Sequence, residues 1–144
     1  MRRENEVAVV ALDARYRKLE KDLKKDAEKI LLSLKKSKTA VEIYLVGDAK
    51  IRQLNRHYRG KDKATNILAF PPPQNFPQVK PHFLGEVYLC PPYIKKEKGD
   101  IRRLLTHGIL HLLGFNHERV NDRMIMEKVE EAVAAFIHER SERT

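Results

Sequence analysis

Cysteine is almost absent from this chain of 144 residues, which contains only Cys90. A single cysteine cannot form an internal disulfide, and it excludes a zinc site built mainly from thiolates. Because disulfides are rare in reducing compartments, this composition fits a cytoplasmic protein, and we expect that location.

Long apolar runs are also missing. No stretch approaches the roughly 18 consecutive apolar residues that a membrane span requires. Residues 1–18 lack both the apolar core and the small-residue cleavage site of a signal peptide. The sequence therefore predicts no membrane partner.

Acidic residues are in the minority. Asp and Glu total 20 against 29 for Lys and Arg, which gives a formal net charge of +9. Such an excess favours a polyanionic partner, above all RNA or DNA. The alternative is that the charge serves solubility alone.

The remaining composition suits one folded domain, since 42% of the residues are hydrophobic and the length permits a real core. No internal repeat or long linker divides residues 1–144. Alternation and helical periodicity predict the order βαβαββαα. The strands are expected over 6–11, 40–46, 64–70 and 82–90, and the helices over 13–36, from 48 through Tyr58, 97–113 and 121–140. This order predicts an α+β fold with a small mixed sheet packed with helices.

Local signals refine these boundaries. Asp48 is expected to cap the second helix, and Asn121 and Asp122 the last one. Gly85, inside the fourth strand, is typical of a bulge or of close backbone approach.

Three of the six histidines lie in the segment HGILHLLGFNH, residues 107–117. His107 and His111 are four residues apart, which places both side chains on one face of a helix. Gly114 suits the end of that helix, so that His117 can turn back toward the other two. Three imidazoles so arranged can bind one zinc ion at about 2.0–2.1 Å; the alternative is three histidines at an accidental spacing.

Three protein ligands leave a fourth position open, as in catalytic zinc sites, where the ion lowers the pKa of bound water or polarises a phosphoryl or carbonyl oxygen.

Gly108 argues against one class of zinc enzyme. In peptidases with the HExxH motif, the residue after the first histidine is a glutamate that acts as general base. Glycine cannot take that role.

The histidine segment resembles HGxLHLxGxDH, the signature of the YbeY family of endoribonucleases. Two further blocks are similar to that family and occur in its order: LNRHYRGKDKATNILAFP (54–71) resembles LNxxYRxKDxPTDVLSFP, and LGEVYLCPP (84–92) resembles LGDIxIcpe. The resemblance spans most of 40–131.

The resemblance implies a central helix that carries the HxxxH ligands and one zinc ion per chain, bound by His107, His111 and His117. It also implies a functional arginine at Arg59, whose guanidinium can grip a phosphate through two parallel hydrogen bonds. The implied activity is endonucleolytic cleavage of single-stranded RNA in rRNA maturation, including the 16S rRNA 3′ end, and in ribosome quality control. The implied partners are the small ribosomal subunit or its assembly factors, and DNA is not expected.

The chain departs from the family pattern at several positions. Asn116 replaces an aspartate before the third histidine, Asn66 and Ala69 replace the aspartate and serine of TDVLSF, and Glu86 replaces an aspartate. Ala69 lacks a hydroxyl that can contact RNA or a neighbouring strand. We expect these changes to affect catalytic rate and substrate preference.

Two other functions fit the residues. One is a ribosome-associated assembly factor whose zinc is mainly structural, which the basic charge fits equally well. The other is a metallohydrolase of a different small substrate.

Overall fold

The computed structural model describes residues 4–77, 81–115 and 119–142. It forms one small α+β domain, as the sequence predicts. The elements in chain order are β1 (Glu6–Ala11), a 3₁₀ helix (Ala14–Leu19), α1 (Glu20–Ser33), β2 (Thr39–Leu45), α2 (Asp48–Arg59), β3 (Ile67–Phe70), β4 (His82–Leu89), α3 (Pro91–Lys96), α4 (Ile101–Leu112) and α5 (Val120–Glu142).

The four strands form one mixed sheet in the order β1-β2-β4-β3. β1 pairs with β2 and β2 with β4 in parallel, whereas β3 pairs with β4 in the antiparallel direction. β3 is thus a short edge strand, at the opposite edge from β1.

One face of the sheet carries the main core. Alternate residues of β2, Val41, Ile43 and Leu45, pack there with α1, α4 and α5. Large side chains from all these elements are fully buried in this layer, among them Ile30, Leu31, Leu89, Leu105, Ile109 and Ile137.

The other face is covered by α2 near the C-terminal ends of β2 and β4. Ile51 of α2 packs into a second, smaller core with Val46, Leu68 and Cys90. α2 and α4 therefore lie on opposite faces of the sheet, because the side chains of a strand alternate between its two faces.

Gly108 brings α4 close to the sheet. A Cβ atom at this position would lie 2.7 Å from Cδ1 of Ile67 and 3.3 Å from Cγ1 of Val87. The absence of a side chain lets the helix backbone pack directly over β3 and β4.

Gly85 confirms the expectation of a bulge and a close approach. Ala40 pairs with Phe83 and Val41 with Gly85, so that one residue of β4 is extra. Gly85 has φ 133°, and a Cβ on it would meet the carbonyl oxygen of Phe70. Only glycine adopts this conformation readily.

Several predicted boundaries are wrong. The predicted helix 13–36 begins as a 3₁₀ helix, and α-helical structure starts at Glu20. The predicted helix 97–113 begins at Ile101, because the Asp100 side chain accepts hydrogen bonds from the backbone N–H groups of Arg102 and Arg103 at 3.0 and 3.4 Å.

The expected caps at 48 and 121–122 are also corrected. Gly47 is the N-cap of α2, and Asp48 lies in the first turn, where its carboxylate accepts a weak hydrogen bond from the Cys90 thiol at 3.5 Å. α5 begins at Val120, so Asn121 and Asp122 lie inside its first turn.

Candidate metal and RNA site

His107 and His111 lie one turn apart near the C-terminal end of α4, as their spacing predicts. Their ring centroids are 5.2 Å apart, and the ring planes are inclined by 65°. The His107 side chain is 30% exposed. Both rings are within reach of solvent while Leu105, Ile109 and Leu110 of the same helix are fully buried.

The end of α4 is a tight turn with the hydrogen bonds of a Schellman motif. The N–H of Gly114 donates to the carbonyl of His111 at 3.0 Å, and the N–H of Phe115 donates to the carbonyl of Leu110 at 3.2 Å. Gly114 has φ 102°, which glycine tolerates without strain. The chain therefore changes direction directly after the histidine pair, as the glycine predicts.

His117, the third predicted ligand, and Asn116 lie outside the described residues. Over 4–115 and 119–142, apart from the gap at 78–80, no group of three or more His, Cys, Asp or Glu side chains is arranged to hold a metal ion. The described part of the chain brings two of the three predicted ligands together. The three-histidine site remains a prediction.

Glu130 of α5 contacts His107 and was not among the predicted site residues. Its Oε1 lies 2.9 Å from Nδ1 of His107, and its Oε2 lies 3.6 Å from Nε of Arg103. The side chain is only 10% exposed. A signal was available, since Glu130 is four residues after Met126 and three before Val133, on the buried face of its helix.

Arg59 is the last residue of α2 and is exposed. Its guanidinium makes no hydrogen bond or ion pair to any residue that the structure describes. Gly60 follows with φ 70° and closes the helix. Arg59 therefore presents to solvent a positive charge that has no partner in the described part of the chain.

Tyr58, beside Arg59, is 62% exposed. Its ring contacts Phe70 of β3 with centroids 5.0 Å apart, and His57 edge-on at 4.5 Å. Phe70 in turn contacts Tyr88 at 5.8 Å. The exposed Tyr58 ring thus packs on Phe70, which packs against Tyr88 and the second core.

The loop after α2 is held against that helix. The buried Asn55 side chain donates to the carbonyl of Lys63 at 2.9 Å, and Arg52 donates to Asp62 at 2.9 Å. This bond lowers the pKa of the Asp62 carboxyl. The exposed ammonium groups of Lys61 and Lys63 are therefore kept near the end of α2.

Arg59 and the histidine pair approach the same edge strand from opposite faces. Tyr58 contacts Phe70 at one end of β3, whereas Gly108, next to His107, packs against Ile67 at the other. The histidines thus lie on the α4 side of β3 and Arg59 on the α2 side, and no hydrogen bond, ion pair or ring contact among the described residues joins them.

The structure shows the surroundings of two residues that depart from the family pattern, Asn66 and Ala69. Asn66 donates from Nδ2 to Oε1 of Glu97 at 2.7 Å, a contact that an aspartate in its place would make repulsive. Ala69 packs half-buried against the main core, so a serine hydroxyl there would face the protein interior.

Glu86 lies on the α2 face and pairs with Glu42 of β2 and Phe70 of β3. Burial, together with the charge of Glu42, raises the pKa of the Glu86 carboxyl. On the same face, burial and a 2.9 Å hydrogen bond to Glu42 raise the pKa of Tyr44 to about 12. This part of the sheet is acidic, and Glu86 lies beside Phe70, the ring that contacts Tyr58.

No helix in the described part of the chain is long and apolar enough to cross a membrane.

Comparison with known proteins identifies the family. A protein of Persephonella marina named Endoribonuclease YbeY is 42% identical over 107 residues, which are 69% of this chain and 70% of that protein. A protein of the same name from Aquifex aeolicus is 35% identical over 119 residues, or 76% of this chain and 78% of that protein. The solution structure of TM1509 from Thermotoga maritima has the same fold, with a TM-score of 0.56 and 24% identity over 96% of this chain and 95% of that one. Since the family model described as Endoribonuclease YbeY also matches residues 8–138, the chain belongs to the YbeY family.

Proposed function

We propose that this protein is a zinc-dependent endoribonuclease that cleaves single-stranded RNA during rRNA maturation. The observation that carries the proposal is the pair His107 and His111, whose rings lie 5.2 Å apart at a helix end that Gly114 closes with a tight turn. The relatives named Endoribonuclease YbeY support RNA as the substrate.

The residues fit a zinc ion. Two imidazoles on adjacent turns are nitrogen donors of the kind that zinc prefers, and His117 would complete a three-ligand set. When bound, zinc would supply a Lewis acid that acidifies a water or ribose hydroxyl and polarises a phosphoryl oxygen. His107, His111 and His117 would hold one ion per chain.

Arg59 would bind the scissile phosphate. Its exposed guanidinium can donate two parallel hydrogen bonds and keeps its charge at any working pH. It would also offset the negative charge that develops on the phosphate oxygens in the transition state.

Tyr58 offers the neighbouring base a stacking surface, because its ring is exposed and supported by Phe70. Lys61 and Lys63 add positive charge around the same helix end, where His57 is also exposed. Since bases are available for stacking only where they are unpaired, these contacts favour single-stranded RNA.

The packing of Gly108 is a structural argument against a peptidase with an HExxH mechanism. A side chain at this position would point between Ile67 and Val87 of the sheet, away from solvent. A glutamate there would not reach a metal-bound substrate.

Family membership also supports a proposal for the cellular role. We propose maturation of the 16S rRNA 3′ end and ribosome quality control in the cytoplasm, with the small ribosomal subunit or its assembly factors as partners. The net charge of +9 supports binding to such polyanionic particles.

The test measures zinc content and RNA cleavage together. Wild-type protein purified without chelators should contain about one zinc per chain, and His111→Ala and His117→Ala should contain little. A single-stranded RNA should be cleaved by the wild type and not by His111→Ala or Arg59→Glu. Arg17→Glu is the matched control, because Arg17 is an exposed arginine of the 3₁₀ helix, which packs against β1 at the other edge of the sheet.

The outcomes separate the candidate functions. Equal cleavage by all variants would indicate a contaminating nuclease and contradict the proposal. Zinc binding and RNA binding without cleavage would favour an assembly factor with a structural zinc. RNA affinity that is absent, or that does not fall with salt, would favour a hydrolase of another substrate. A 2′,3′-cyclic phosphate product would identify the ribose hydroxyl as nucleophile, and a 5′-phosphate product would exclude it.

A further inference from the structure

Glu130 carries a charge on a face that is otherwise buried. Met126, Val133 and Ile137 of the same helix face are each about 2% exposed or less. A buried carboxylate loses hydration, and this loss is compensated only when partners are close. An apolar residue of similar size would pack at this position without that cost.

Both carboxylate oxygens of Glu130 have a partner on α4. Oε1 lies 2.9 Å from Nδ1 of His107, a full hydrogen bond, whereas Oε2 lies 3.6 Å from Nε of Arg103, an ion pair. The positive charge of Arg103 offsets the carboxylate charge. The shorter bond, however, is made to the imidazole.

This bond selects one form of the imidazole. An ionised carboxylate only accepts hydrogen bonds, so Nδ1 of His107 must carry the proton. In a neutral ring, Nε2 then carries the lone pair that can bind a metal ion. The bond also fixes the rotation of the ring about its attachment to α4.

We propose that Glu130 is a positioning residue that holds His107 ready to bind a divalent metal ion through Nε2. This inference rests on the proposed function, which assigns His107 as a ligand. Glu130 acts through His107 and does not contact the ion. A ligand whose proton and orientation are fixed before binding gives a higher metal affinity than a freely rotating one.

Zinc affinity is the first readout, measured by competition with a chromogenic chelator on the full-length protein without RNA. Glu130→Ala should weaken zinc binding by about 10–100-fold. Glu130→Gln, which keeps the shape and a neutral acceptor, should weaken it less. Glu127→Gln is the matched control, since Glu127 is an exposed carboxylate one turn earlier on α5; it should bind zinc as the wild type does.

The tautomer of His107 is the second readout, observed by ¹⁵N NMR of the zinc-free protein at mildly alkaline pH. His107 of the wild type and of Glu127→Gln should be protonated at Nδ1. In Glu130→Ala the ring should shift toward the Nε2–H form that predominates in free histidine. A role limited to joining α4 and α5 would lower stability, measured by thermal unfolding of the same variants, without this change.

Three results would overturn the inference. One is wild-type zinc affinity in Glu130→Ala, and another is an Nε2–H tautomer of His107 in the wild type. The third is a loss of zinc in Glu130→Ala as complete as in His111→Ala, because Glu130 would then be a ligand itself. These results are distinct from failure of the proposed function, in which the wild type itself binds no zinc.

Discussion

Replacement of Gly85 by alanine should destabilise the protein severely. The new Cβ would run into the carbonyl oxygen of Phe70 and lie 3.0 Å from Cα of Pro71, and neither backbone atom can rotate away. At φ 133°, an L-residue costs about 1–3 kcal/mol of strain, and overpacking costs about 1–3 kcal/mol more. The expected loss of about 2–6 kcal/mol is large beside a typical total stability of about 5–15 kcal/mol.

Gly60→Ala is the matched control for this prediction. Gly60 also has a positive φ, 70°, but a Cβ on it would have no neighbour within 4 Å. Only the conformational cost of about 1–2 kcal/mol is then expected. The excess loss in Gly85→Ala measures the contact with β3.

Urea unfolding of the zinc-free proteins, monitored by circular dichroism, gives the loss of unfolding free energy for Gly85→Ala and for Gly60→Ala. The m-values should stay close to that of the wild type, so that the midpoints report stability directly. Equal losses in Gly85→Ala and Gly60→Ala would refute the argument that β4 needs glycine to approach the end of β3.

Three further predictions concern charge, RNA contact and capping. Burial raises the pKa of Asp26 above its ordinary value of 3.8 although Arg102 lies 3.2 Å away. The folded state thus favours the protonated carboxyl, and the wild type should lose stability relative to Asp26→Asn as pH rises from below 3.8 through the raised pKa; urea unfolding at acid and neutral pH checks this, and a gain would contradict it. Tyr58→Ala should weaken binding of a labelled single-stranded RNA in anisotropy titrations by about 1–3 kcal/mol, whereas Tyr58→Phe should not; equal binding by both would remove the stacking role. Asp100→Ala should cost about 1 kcal/mol in urea unfolding, because two backbone N–H groups of α4 lose their acceptor; an unchanged midpoint would show that the cap is dispensable.

The sequence predicts most of the fold because its apolar periodicity is strong. All four strands and the helices that carry long apolar stripes are found close to their expected positions. α3 was missed, since Pro91 and Pro92 suggest a loop. Proline is nevertheless accommodated in the first turn of a helix, where its missing N–H has no partner to lose.

The candidate site is predicted less completely, because its contacts join distant parts of the chain. The spacing of His107 and His111 places them together within one helix, which local geometry alone determines. The contact from Glu130, 23 residues later, depends on how α5 packs on α4. The helix predicted from 48 through Tyr58 ends at Arg59, beyond the small core, and leaves the Tyr58 ring exposed.

The helix ends at the candidate site have an electrostatic consequence. Backbone dipoles give the C-terminal end of a helix a partial negative charge, which favours a cation there by about 0.3–1 kcal/mol. α4 ends beside the histidine pair, and α2 ends at Arg59. The field of each helix therefore favours a positive charge at its C-terminal end. At the end of α2 this charge is the Arg59 guanidinium. At the end of α4 it would be the zinc ion, in our proposal. The same field repels phosphate, so the cations held at these two helix ends would have to offset that repulsion when RNA binds.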